Sequence, residues 1–125
     1  MNVRHMITTG LFAFIIAGCQ VTPIEDLYPT ATQETIDTAL EHLSDIEGMS
    51  VTENGVIYYV HNLPGDSRWS TVHIMELSYR NSCEHLRWFV DRGMIVRSTY
   101  RGNSGTTQDY DLARCETETP TDLFK

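Results

Sequence analysis

Basic side chains are scarce in this chain: nine lysines and arginines stand against seventeen aspartates and glutamates, a formal net charge of −8. Nucleic acids draw much of their affinity from basic side chains that meet phosphates, so this balance argues against a nucleic-acid partner. It argues equally against adhesion to an anionic bilayer by charge alone. The chain has no glycine-rich phosphate loop, no G-x-S-x-G elbow and no C-x-x-C pair, the readiest signs of nucleotide, acyl-transfer or dithiol chemistry. Five histidines are present, but His42, His61, His73 and His85 show neither H-x-x-x-H nor H-E-x-x-H spacing. No metal, no cofactor and no catalytic residue is therefore expected. Acidic pairs such as Glu25–Asp26 and Asp109/Asp111 are better read as solvated surface than as paired acid and base, and the chain is expected not to be an enzyme.

A long apolar run is also missing. A transmembrane helix needs about 20 apolar residues, whereas the apolar stretch here extends only from Ile7 to Ala17. Arg4, with His5, precedes it, and the small residues Ala17 and Gly18 follow, which is the layout of a cleavable signal. Ile16-Ala17-Gly18-Cys19 resembles the lipobox of bacterial lipoproteins. That resemblance implies removal of residues 1–18, a diacylglycerol on the Cys19 thiol and a further acyl chain on its amino group. Gln20, in place of an aspartate, implies delivery by the lipoprotein sorting machinery to the outer membrane, with the domain facing the periplasm. Two or more acyl chains give durable attachment where one is marginal.

Cys83 and Cys115 remain. In an oxidising compartment an even pair in a small domain is most simply a disulfide. The competing reading, Cys83 as nucleophile with His85 as base, is disfavoured because residues two apart on a helix point in different directions.

Residues 19–30 read as a lipidated tether with Pro23 and Pro29, although Ile24, Leu27 and Tyr28 are equally compatible with docking on the domain. Residues 31–116 make a single domain, and 117–125 a flexible acidic tail. A helix is expected from a cap at Thr30 or Thr32 to a stop at Gly48, with Ala31, Ile36, Ala39, Leu40, Leu43 and Ile46 on one face. Ser50-Val51-Thr52 and Val56 to Val60 flank Glu53-Asn54-Gly55, a hairpin signal. Ser67 to Ser82 reads as a helix capped near Asp66 or Ser67, and Glu84 to Arg92 as a second helical stretch ending at Gly93. Met94 to Tyr100 and Thr107 to Cys115 form a second hairpin, with Met94, Val96 and Tyr100 inward. Arg97, Arg101, Asp109, Asp111 and Arg114 are expected on the exposed side or the edge. The fold class is α+β: an antiparallel sheet of two hairpins, about four strands, against two or three helices, with one disulfide.

Trp69, Val72, Met75, Tyr79, Trp88 and Phe89 admit two readings. They supply the large side chains a small core needs, or some of them line a groove for a partner's amphipathic helix. The sequence is compatible with both.

The order of elements, together with Tyr79-Arg80-Asn81-Ser82-Cys83, Val90-Asp91-Arg92-Gly93, Tyr100-Arg101-Gly102-Asn103-Ser104-Gly105 and Leu112-Ala113-Arg114-Cys115, resembles the small α/β pilotins of type II secretion. That resemblance implies an outer-membrane lipoprotein that binds the C-terminal segment of a secretin subunit and escorts it to its place of assembly. Cys19 and the Cys83–Cys115 pair carry over; partner contacts do not. A second class fits as well: an envelope inhibitor or immunity-type protein that blocks an enzyme with the loop Asn62–Asp66 or Gly102–Gly105.

Overall fold

The computed structural model describes residues 21–118; Cys19, the signal segment and the end of the acidic tail lie outside them. Four strands form one sheet in the order β1 (Met49–Val51), β2 (Val56–Asn62), β3 (Ile95–Arg101), β4 (Thr107–Tyr110). The two expected hairpins are present, β1 antiparallel to β2 and β3 antiparallel to β4. They meet through a parallel pair, with Ile57 opposite Val96 and Tyr59 opposite Ser98, so the sheet is mixed rather than wholly antiparallel. A parallel pair needs a long crossover. Here it is helical: α2 (Thr71–Tyr79), a π-helical turn (Arg80–His85) and α3 (Arg87–Val90). The chain is thus α+β, with α1 (Gln33–Leu43) ahead of the sheet and α4 (Leu112–Thr117) after it.

Local chemistry sets the boundaries. Thr32, not Thr30, caps α1, its hydroxyl accepting from the Thr35 amide at 3.3 Å. The helix buries Ile36, Ala39 and Leu43, whereas Leu40 and Ile46 stay exposed. In the first turn the positive φ falls on Gly55 alone, whose amide donates to the Thr52 carbonyl, so the Asn-Gly signal produces a four-residue connection, residues 52–55. Helix α2 starts later than expected, because Ser70 rather than Asp66 or Ser67 accepts from a first-turn amide. The stretch expected to run as one helix from Glu84 is split into the end of the π turn and the short α3. The return strand ends at Tyr110 instead of reaching Cys115. Asp111 accepts from the Arg114 amide at 2.8 Å and so starts α4, which carries Cys115 and runs past the expected domain end at residue 116.

One face of the sheet meets the helices. Ile57, Val96 and Tyr110 on it pack with Ile36, Ala39, Leu43, Leu86 and Val90 into a single core. Cys83 in the π turn and Cys115 in α4 are joined by the expected disulfide, which lies within that core. By loop-closure entropy such a link contributes about 3–4 kcal/mol.

The opposite face is covered by the N-terminal segment. The Asn54 amide donates to the Ile24 carbonyl at 3.2 Å, the Thr30 amide donates to the Gly93 carbonyl at 2.9 Å, and Leu27 lies beside Ile95 and Asp109. Residues 22–30 are therefore a docked strap, the second of the two readings of the tether, with Ile24 and Leu27 half-buried; Tyr28, expected to dock with them, is instead 87% exposed. Arg97, expected in solvent, is 5% exposed beneath it. Its guanidinium grips Asp109 through both carboxylate oxygens, at 2.7 and 2.8 Å, and donates also to the Thr22 carbonyl. The alternation that placed Arg97 opposite Val96 was right; the strap is what removes it from water. Gly93 closes the strap's far end. A side chain there would strike Thr30, and its φ of 94° is costly for any other residue.

Removing one partner of a buried ion pair costs about 3–5 kcal/mol. Arg97→Ala is accordingly expected to lower stability by about 3 kcal/mol in denaturant unfolding, and to open cleavage between residues 21 and 30 in limited proteolysis before the domain itself is cut. Unchanged protection of that segment would show that the strap does not depend on Arg97.

Candidate functional site

The six aromatic and apolar residues singled out in the sequence do not share one groove. Trp69 caps an aromatic nest at the start of the crossover, its indole N–H donating to the Arg101 carbonyl at 2.8 Å. Tyr79 meets Tyr110 edge-on at a centroid distance of 6.4 Å, at the margin of the core. Trp88 and Phe89 form a separate edge-to-face pair at 5.0 Å, with the Arg92 guanidinium 3.8 Å over the Trp88 ring. Val72 is 51% exposed on α2, and Met75 is half-buried.

The groove that does exist was not legible in the sequence. Between the end of α1 and the π turn lies an open cavity of about 230 Å³. Leu43, Ile46 and Met49 form one wall, Leu86, His85 and Asn81 the other, and Tyr59, Val96 and Ser98 the floor. The π turn builds the second wall. Its wider hydrogen bond, from the Leu86 amide to the Asn81 carbonyl at 2.9 Å, inserts one extra residue per turn. Cys83, in the disulfide, and Leu86, in the groove wall, are both buried on the inner side of this turn. The α1 wall depends on Ile46, which sits beyond the helix end and is 44% exposed.

Beside the groove on the same sheet face is the aromatic nest. His61 stacks on Tyr100 with centroids 4.9 Å apart and planes 1° from parallel, and Tyr59 meets it edge-on at 4.2 Å. Trp69 closes over both at 6.4 and 5.1 Å and faces His73 on its other side at 6.4 Å. Ser78 donates to the Ile74 carbonyl at 2.6 Å, so its contact with the Tyr100 hydroxyl at 2.8 Å is one in which the tyrosine donates. Burial raises the pKa of Tyr100. His61 is depressed, first by burial and then by His73, and its Nε2 is enclosed without a hydrogen-bond partner.

A larger cleft of about 430 Å³ opens where the strap meets the sheet, lined by Tyr28, Pro29, Asp91, Arg92, Gly93 and Asp111 among others. It combines both charge signs and backbone with the apolar side chains of Tyr28, Pro29, Ile95 and Leu112. Among the described residues no three His, Cys, Asp or Glu side chains are grouped to hold a metal ion, and no helix is long and apolar enough to cross a membrane.

No family model, curated protein or solved structure matches this chain.

The half-buried His61 has a thermodynamic consequence. Its folded pKa lies below the unfolded value of 6.5, so the unfolded chain binds the extra proton first as pH falls. The stability it supports is complete above that value and declines below it until the folded pKa is reached. Thermal melts of the wild type between pH 7.5 and pH 5 should therefore fall more steeply than those of His61→Phe, which keeps the stack on Tyr100. Parallel slopes would remove His61 as the titrating group.

Proposed function

We propose that this chain is a lipid-anchored outer-membrane lipoprotein of the pilotin kind. In this reading Cys19 is acylated, the lipoprotein sorting machinery carries the protein outward, and the domain holds the C-terminal helix of a secretin subunit for delivery. The observation that supports it is the open apolar groove between α1 and the π turn. Its volume is below the about 300–1,000 Å³ of small-molecule sites. A groove of that size accommodates the anchoring side chains of a helix laid across it, which is how an apolar helix face is usually received. The wall of Leu43, Ile46 and Met49 is apolar and adaptable, and Met re-packs readily around different anchors. The acidic net charge is compatible with this role, since the acyl chains, not the protein surface, would provide attachment.

A second reading is favoured by a different observation. The loops Asn62–Asp66 and Gly102–Gly105, proposed above as inhibitory elements, are each tied to chain beside the other, the first to the end of β3 and the second to Arg68 and Trp69. The Leu63 amide donates to the Arg101 carbonyl at 3.0 Å, the Trp69 amide to the Asn103 carbonyl at 2.9 Å, and Arg68 Nε to Ser104 Oγ at 2.6 Å. Ser104 is held at a φ of 60°. A loop pair ordered in advance loses little freedom on binding, as an envelope inhibitor requires. The pilot reading is preferred because it uses a concave apolar site.

Ile46→Glu places a charge on the exposed wall without touching the core. It is expected to weaken binding of a fluorescent secretin C-terminal peptide at least about tenfold in anisotropy titrations, whereas Cys19→Ala should leave the affinity intact and shift the complex out of the outer-membrane fraction. Wild-type affinity in Ile46→Glu would rule out the groove as the binding site.

A further inference from the structure

The strap leaves little free chain between the domain and the acylation position. The Thr22 carbonyl is held by the buried guanidinium of Arg97, and only Gln20 and Val21 stand between Thr22 and Cys19. Fully extended, that stretch spans about 10 Å. A tether free as far as Thr30 would span about 40 Å, so docking of the strap shortens the reach about fourfold. What remains is no more than the width of one helix, about 10–12 Å.

The tie at Thr22 also decides which face turns to the lipid. Arg97 points to the strap side of β3, whereas its neighbours Val96 and Ser98 point to the helical side and floor the groove. An anchor joined so closely to the strap side leaves the groove beyond the sheet. The strap's own surface suits contact with headgroups. Val21 and Tyr28, near its two ends, are exposed, and tyrosine settles readily where lipid meets water. Tyr28 lines the strap cleft together with Arg92, whose guanidinium lies over the half-exposed Trp88 ring. Between the ends, Glu25 and Asp26 are exposed and belong to none of the four ion pairs of the described residues. Such carboxylates resist burial in hydrocarbon and repel anionic headgroups.

We infer that the strap face is a membrane-docking surface. It lies against zwitterionic headgroups, held at Thr22 by the short link to Cys19 and at Tyr28 by interfacial contact, with the groove turned away from the bilayer. This rests on the acylation of Cys19 proposed above, and adds the orientation in which the anchored domain works. The acyl chains supply attachment; the strap contact supplies the pose, and it leaves the groove open to a partner arriving from the aqueous side.

The test uses the full acylated chain, purified from membranes and held in phosphatidylcholine nanodiscs that carry a gadolinium-chelate lipid. Mass spectrometry of the N-terminal peptide comes first: an unmodified Cys19 overturns the anchored reading and this orientation together. With acylation present, paramagnetic broadening of amide signals in NMR spectra is expected to be several-fold stronger at Thr22, Tyr28 and Asp109 than at Ile46, Met49 and Leu86. Equal broadening of the two sets, or stronger broadening at the groove, overturns the orientation and leaves acylation standing. A Gly-Ser insertion of about twenty residues between Gln20 and Val21 keeps every strap contact and adds about 25 Å of root-mean-square reach. It should remove most of the contrast, and a contrast that survives unchanged overturns the short link as its cause. Tyr28→Ser removes a side chain that is almost wholly exposed, so the fold is kept. It should weaken broadening at Thr30 and Gly93 while sparing Thr22, and no change there overturns the second contact. Replacing part of the lipid with phosphatidylglycerol should reduce the contrast; a stronger contrast overturns the preference for zwitterionic headgroups.

Discussion

The pairing of β2 with β3 side by side in the same direction is the constraint from which the rest of this architecture follows. Two strands that run parallel cannot be joined by a tight turn, so the chain must leave the sheet and return through α2, the π turn and α3. That excursion supplies most of the helical layer on one face. It also leaves the central strands in need of cover on the other, and the strap from Thr22 to Thr30 provides it. Val56, on the strap side, and Ile57, on the helix side, are each wholly buried. Central parallel strands are ordinarily covered on both faces, and here a chain segment without regular structure, apart from one short turn at Ile24–Asp26, does what a second helical layer does elsewhere.

The same topology explains what was legible from residues alone and what was not. Features written locally were read correctly. Thr32, one of the two candidate caps, and the Ile36/Ala39/Leu43 part of the stripe made α1, although it ends at Leu43 and not at Gly48; the Glu53-Asn54-Gly55 turn made the first hairpin, and the Cys83–Cys115 pair closed. Features that depend on distant parts of the chain were missed. Nothing beside Val56 or Ile95 declares that the two hairpins will meet in parallel. Nothing beside Arg97 announces that Thr22 will bring a carbonyl to it across the sheet. Asp111 was read as part of a strand, although an acidic residue just before Leu112 is equally a helix cap. That signal was available and was outweighed by the β-rich run preceding it.

The candidate site was the least legible part, for the same reason. Large aromatic residues attract attention in a sequence, yet in the fold they are divided among the nest around His61, the margin of the core and the Trp88–Phe89 pair. The groove is instead made by aliphatic residues at element ends, Leu43, Ile46, Met49 and Leu86, and by an irregularity of helix winding. A π turn has no compositional signature. Ser82 and Cys83 within it are buried, and Leu86 just beyond it lines the groove.

The junction of Thr22, Arg97 and Asp109 also determines how the molecule meets mechanical load. A pull on the chain ahead of Val21 is transmitted first to the hydrogen bond from Arg97 to the Thr22 carbonyl, and through the guanidinium to β3 and β4 together. Tension entering there is shared between two strands at the middle of their pairing, where Arg97 stands opposite Asp109, instead of unzipping an edge from its end.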